Sequence, residues 1–247
     1  MNSPLARMLP AALIETASRP YRAAGRFAWH FASAKLRRDP FFAHILAHGL
    51  IPDGARILDL GSGQGLLAAC LVGAHAWHRE HAQRAWPARW PAPPVPRSIH
   101  GIDLTPRDVA WARIALQAHE ARIRFVCDDI RAAPFPDADV VVACDVLHYV
   151  DADAQVSILR RARASLAANG VLLLRVSDAA AGWHARLDRA IDFGMQIARS
   201  GRANGLTVRS EAQWLALLGD LRFAVSIRQM GHGAHDANRL LIARPVG

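Results

Sequence analysis

Cysteine is scarce in this chain: there are three, Cys70, Cys127 and Cys144. An odd count with no close pair excludes a disulfide framework and a cysteine-based metal site. Each lies in an apolar stretch, which predicts reduced core thiols of a cytosolic protein. Long apolar runs are missing too. The strongest, Val140 to Val150, contains Asp145 and His148, which excludes a bilayer-crossing helix and predicts a buried strand. Arg7 followed by Met8 to Ile14 has the look of an export signal, but Pro10 and Glu15 interrupt it and no small-residue cleavage site follows, so a cytoplasmic location is expected. No internal repeat is present.

Lysine is nearly absent. Lys35 is the one lysine among 30 basic residues, and the net charge is still +9. Abundant alanine, glycine and proline make codon bias a sufficient reason for the arginine. The excess charge itself suits an anionic partner such as nucleic acid, membrane lipid or an acidic carrier protein. Residues 1–48 carry seven basic against two acidic residues, a net of +5.

What is present is ample apolar material. With 247 residues, 52% of them hydrophobic and 21% charged, the chain suffices for one full-sized α/β domain with appendages. Residues 1–48 read as a basic, amphipathic helical extension or lid, and residues 49–247 as the main domain with an insertion at 74–97. In that insertion His75, His78 and His81 match no metal-ligand spacing. Its prolines at 87, 91, 93, 94 and 96 exclude a regular helix or central strand and predict that the second half of the block is an extended surface loop.

The remainder alternates. Asp39-Pro40 opens a short helix that Gly49 ends. Arg56 to Leu60 is a strand stopped by glycines, and a helix starts at Leu66. A second strand, Ser98 to Asp103, is followed by a helix to about Glu120, with Thr105 as cap and Asp108 as its box-like partner. Strands come next at Ile123 to Cys127 and Ala138 to Cys144. A helix over 153–168 closes at Asn169-Gly170, and a strand spans Val171 to Val176. Helices at 183–199 and 210–218, then strands at Phe223 to Arg228 and Arg239 to Ala243, complete the pattern. Such alternation predicts a mainly parallel, Rossmann-like sheet with helices on both faces. Ligands then bind beyond the carboxyl ends of the strands.

Site candidates are therefore the residues just past each strand. After the first come Gly61, Gly63 and Gly65; the second ends at Asp103, whose oxygens suit ribose hydroxyls. The third ends at Asp128-Asp129-Ile130. The fourth ends at Asp145, with His148 just beyond. Glycines at 61, 63 and 65 miss the first, third and sixth spacing of the dinucleotide fingerprint. A pyrophosphate would also meet the carboxylate of Asp59, which instead favours a cationic ligand.

These residues resemble a known family. Ile57-Leu58-Asp59-Leu60-Gly61-Ser62-Gly63-Gln64-Gly65 looks like the first motif of class I S-adenosylmethionine (SAM)-dependent methyltransferases, and Gly101-Ile102-Asp103-Leu104 like their ribose-binding motif. Phe125 to Ile130 resembles the adenine-contacting segment, and Asp139 to Val150 the fourth motif. The resemblance implies SAM as cofactor and a sheet of order 3-2-1-4-5-7-6 with strand seven antiparallel. It also implies Asp59, Gly61, Ser62, Gly63, Gly65, Asp103, Leu104, Asp129, Ile130 and Asp145 as cofactor residues, with no metal. Some have a plainer reading: Asp59 caps the glycine turn, Asp128 is a solvated strand end that leaves Asp129 as the adenine contact, and His148 is packed and satisfied by backbone. One departure is the 38-residue step from Gly65 to Asp103, against roughly 20 for such loop-to-acid spacings; the insertion supplies the excess.

Methyl transfer to a neutral hydroxyl needs a base. Asp178, His148, His232 and His235 lie after strands at the correct end, and His148 is the preferred one. The aromatics of residues 1–48 suggest an apolar or aromatic acceptor, and the arginines suggest that the acceptor or its carrier protein is acidic, or that the segment meets a membrane surface. A weaker similarity, carried by Phe27 to Arg37 with Asp39-Pro40 and by Asp145 to Tyr149, is to bacterial methyltransferases of aryl-polyene pigment pathways, and it implies a small aromatic or polyketide-like acceptor methylated on oxygen. RNA or another nucleic acid is the alternative acceptor. Against it, Asp145-Val146-Leu147-His148 stands where a base-methylating Pro-Pro-Tyr type motif would lie. A non-catalytic SAM-binding membrane-surface protein is the third reading.

Overall fold

The structure, a computed structural model, describes residues 8–81, 86–177, 207–230 and 238–247. The chain divides into two compact units, Met1–Asp128 and Asp129–Gly247. The strands are β1 (Arg56–Leu60), β2 (Ser98–Asp103), β3 (Ile123–Cys127), β4 (Ala138–Cys144), β5 (Leu166–Ser177), β6 (Phe223–Gln229) and β7 (Asn238–Pro245). Their order is β3-β2-β1-β4-β5-β7-β6. β7 runs antiparallel to both β5 and β6, the mixed seven-stranded arrangement that the sequence implied.

In the first unit β1, β2 and β3 pair in parallel. Its helices are α1 (Ala11–Ser18), α2 (Arg26–Arg38), α3 (Pro40–Ala47), α4 (Leu66–His81) and α5 (Pro106–Ala115), with a 3-10 turn at Arg19–Ala24 between the first two. α3 begins as expected: the Asp39 carboxylate accepts the Phe41 N–H at 3.0 Å, and Pro40 needs no partner in the first turn. The N-terminal helices lie on this unit, with α1 against α4 and the 3-10 turn against α5. A Cβ on Gly73 would come within 2.8 Å of the Ala17 Cα and Cβ atoms. Only glycine permits that approach.

Three expectations need correction here. α4 continues through residues 74–81, taking the first third of the insertion. The irregular remainder is a surface loop only in part, since Trp90, Pro93 and Pro94 are buried while Ala88, Arg89, Pro91 and Ala92 are exposed. Trp86 packs against Trp77, His78 and Trp90, and donates its indole N–H to the Pro91 carbonyl at 3.1 Å. Val95 is pinned at both ends, its N–H to Asp53 and its carbonyl to the Gly54 N–H. Proline prevents a strand, yet tryptophan and proline are apolar enough to be buried without one. α5, thirdly, stops at Ala115 before a 3-10 turn at Gln117–His119, and no capping box forms: the Thr105 side chain makes no cap bond.

In the second unit β4 and β5 pair in parallel. α6 (Ala152–Ser165) is capped by the Asp151 carboxylate, which accepts the Ala154 N–H. It ends three residues before the expected stop because β5 begins at Leu166. Asn169-Gly170 lies inside that strand, where the pairing steps from Ala138–Leu166 to Val140–Val171. α7 (Glu211–Asp220) carries a full capping box between Ser210 and Gln213. The helix expected at 183–199 lies outside the described residues. Cys70 is buried as expected, but Cys127 is exposed and Cys144 half-buried; both sit at strand ends, where β-sheet burial runs out. No described helix is long and apolar enough to cross a membrane.

Candidate functional site

The first unit holds the glycine loop. Gly61 and Ser62 donate their N–H groups to the Ile102 carbonyl at 2.8 and 3.1 Å, which ties the loop to the end of β2. Gly63 takes φ +52°, and a Cβ there would meet nothing within 4 Å. Its backbone thus faces open space that a ligand could approach. Gly65 serves packing instead: at φ +71° a Cβ would lie 2.5 Å from the Phe125 ring.

Asp103 is held by backbone alone. One carboxylate oxygen accepts the Gly63 N–H and the other the Thr105 N–H, both at 2.8 Å. Each oxygen keeps acceptor capacity, the requirement for gripping a pair of vicinal hydroxyls. Leu104 beside it is 54% exposed. Asp59, at the end of β1, is buried without an ion pair among the described residues. Burial, and secondly the negative charge of Asp103, push its carboxyl up to about 7. A cationic ligand would reverse that penalty.

The loop also contains unsatisfied groups. The Ser62 hydroxyl and both amide atoms of Gln64 are buried and lack hydrogen-bond partners among the described residues, an expensive condition unless something else completes them. Gln64 was not among the expected site residues, and no sequence signal reports the burial of an amide. Behind the loop, the fully buried Tyr21 donates its hydroxyl to the Gln64 carbonyl at 2.6 Å. Its phenol is raised above its ordinary range by burial.

The second unit carries the other candidates. Asp129 accepts the Arg131 N–H at 2.9 Å and the Arg131 guanidinium through both oxygens. That bonding, chiefly the side-chain part, holds its carboxyl below the usual range. Ile130 is buried, and its carbonyl accepts from Arg161, which also bonds the carbonyls of Arg131 and Ala133. Asp145 adopts φ +54°, in the left-handed region, and pairs with Arg175 through a two-bonded guanidinium fork. Arg175, on β5, is 3% exposed. Sequence reasoning passed over it, although one arginine inside Leu172-Leu173-Leu174-Arg175-Val176 is a usable signal, because a buried charge demands a partner.

His148 lies on a 3-10 turn, Leu147–Tyr149, with its ring 4.1 Å from that of Tyr149. It is half-buried. Burial lowers its pKa and Asp145 pulls the other way, with burial the larger, so the imidazole is neutral and able to accept a proton at neutral pH. The turn is fixed by Gln155 of α6, whose amide N–H donates to the carbonyls of Leu147 and Thr207 at 3.0 and 2.9 Å. Thr207 in turn donates its N–H to the His148 carbonyl. Asp178, His232 and His235 lie outside the described residues. Among the described residues, no group of three or more His, Cys, Asp or Glu side chains is gathered as for a metal.

A family model described as a methyltransferase domain matches residues 86–170, beginning after the glycine loop. No curated protein matches the sequence. Solved structures do, at the level of fold. Magnesium protoporphyrin IX methyltransferase from Synechocystis PCC 6803 with bound SAH is similar at 19% identity, over 83% of this chain and 80% of that one, with a TM-score of 0.53. The same enzyme is matched with SAM bound. A TehB-like SAM-dependent methyltransferase from Corynebacterium glutamicum is similar at 16% identity over 93% and 98% of the two chains, with a TM-score of 0.55. An O-methyltransferase family protein from Burkholderia thailandensis shares 21% identity over 91% of this chain and 61% of its own, with a TM-score of 0.54.

Proposed function

We propose, on the premise that the chain is a SAM-dependent methyltransferase of class I fold, that it methylates a small aromatic or polyketide-like molecule, with oxygen as the acceptor atom. The cofactor site of the first unit carries this reading: a glycine loop open above Gly63, Asp103 with acceptor capacity left on both oxygens, unpartnered Ser62 and Gln64, and an uncompensated Asp59. SAM supplies an electrophilic methyl group on a sulfonium when bound.

The residues divide the remaining work. Asp103 would accept the ribose hydroxyls. Asp59 would face the cationic methionine end, and Gly61, Ser62, Gly63 and Gly65 would shape the backbone around it. Leu104, next to Asp103, would serve adenine. His148, neutral at working pH, would take the acceptor hydroxyl proton at its imidazole nitrogen as oxygen attacks.

Small-molecule chemistry is favoured over RNA by the segment after β4: a histidine turn rather than a base-binding Pro-Pro-Tyr type motif. A carrier-bound acceptor or a membrane-associated one suits the outer face of α2, where Arg26, Arg37 and Arg38 have no ion partner among the described residues and Phe27 is 61% exposed.

Calorimetric titration with SAM tests the cofactor site. Gly63→Asp and Asp103→Ala should each weaken binding at least a hundredfold, and unaltered binding in both would refute the assignment. Methyl transfer to a panel of phenols should be lost in His148→Gln, whereas transfer to RNA that falls steeply with salt would replace the small-molecule reading.

A further inference from the structure

The N-terminal helical layer reaches the glycine loop from behind. Tyr21 lies in the 3-10 turn between α1 and α2, is 0% exposed, and places its hydroxyl 2.6 Å from the Gln64 carbonyl. A fully buried phenol is costly unless its O–H is bonded, and the acceptor used here is a backbone atom of the loop itself. On its far side the same loop is tied to Ile102 by the Gly61 and Ser62 N–H groups and to Asp103 by the Gly63 N–H. Tyr21 therefore supplies the support that β2 does not. α1 is locked onto α4, the helix that continues from the loop, through the Ala17–Gly73 approach.

We propose that Tyr21 is a positioning residue for the cofactor loop, and that docking of residues 8–38 and affinity for SAM are coupled through its hydroxyl. This rests on the cofactor reading given above. Left-handed glycines hold a loop's shape weakly, because glycine has the widest choice of backbone conformations to lose. A buried hydrogen bond to the carbonyl between Gly63 and Gly65 narrows that choice before the ligand arrives, and a preorganised site binds more tightly. Linkage is reciprocal. If the Tyr21 bond favours the binding-competent loop, bound SAM favours the docked N-terminal layer by the same factor.

Tyr21→Phe tests this in the full-length protein, since it keeps the ring and removes one donor. SAM titration should show a dissociation constant raised about tenfold, as expected for a buried carbonyl deprived of its partner. Amide exchange, read by mass spectrometry, should show SAM protecting the peptide around 19–25 in the wild type and protecting it much less in the variant. Thr16→Ala is the control: Thr16 lies in the same layer but bonds only to Ala12 of its own helix, and its SAM affinity should equal that of wild type. Equal SAM affinity in folded Tyr21→Phe, or protection of 19–25 that is the same in both proteins, overturns the proposal. Absence of SAM binding by the wild type would instead refute the cofactor reading, so the two failures are distinguishable.

Discussion

Two strand-end aspartates in this molecule are held in opposite ways. Asp103, in the first unit, is fixed by two backbone N–H groups and, among the described residues, by no cation. Asp145, in the second, is fixed by the guanidinium of a buried arginine. Backbone donors orient a carboxylate while leaving its charge and spare lone pairs for a ligand. An arginine fork instead neutralises the charge and fixes the plane of the carboxylate. The contrast teaches that the same residue type at the same kind of position performs different work according to its donors. On the proposed cofactor reading Asp103 would grip neutral hydroxyls, whereas Asp145 is tied to Arg175 just before the turn that carries His148.

The comparison can be broken at several points. Arg175→Met should have the largest effect on stability, about 3 kcal/mol lost in denaturant unfolding, because it strands a half-buried carboxylate. The double variant Asp145→Asn, Arg175→Met should recover much of it. If the single variant unfolds like wild type, the fork is not what holds Asp145.

Asp59→Asn sharpens the other side. Folding raises this carboxyl, so between the unfolded value near 4 and about 7 the native state binds the extra proton. Its contribution to stability is therefore present at low pH and lost as pH rises through 7. The asparagine variant should melt several degrees higher than wild type at pH 8 and close to it at pH 4, while binding SAM more weakly. Wild-type SAM affinity should itself fall below pH 7, where Asp59 takes up its proton. Calorimetry across pH 5.5–8.5 would show it.

The smallest expected change is in Arg131→Ala. Its pair with Asp129 is largely solvated, so unfolding free energy should move by less than about 1 kcal/mol. A larger loss would mean that this pair, like Asp145–Arg175, is structural.

Most of the fold was legible because glycines stop strands abruptly and apolar runs of five to seven residues alternate with helical periodicity. Boundaries failed where a local signal competed with pairing. Asn169-Gly170 has the composition of a helix stop, yet β4 draws Leu166 onward into β5. The glycine loop and its tie to Asp103 were legible because those residues are individually unusual. Tyr21, Gln155 and Arg175 were not found in advance. Tyr21 and Gln155 work through partners 43 and 52 residues away, a separation that leaves no mark in a local pattern, whereas Arg175 stands out as a charge in an apolar strand without revealing its partner 30 residues away.

The strand order has a consequence for how the second unit comes into being. β5 and β6 do not pair with each other; each pairs with β7, which is made after both. During synthesis the chain therefore carries two open strand edges until residues 238–245 emerge, and a nascent chain halted before that point exposes the pairing groups of β6 along its whole length. Closure of this half of the sheet waits for β7, so prompt translation through residues 238–245 protects against aggregation.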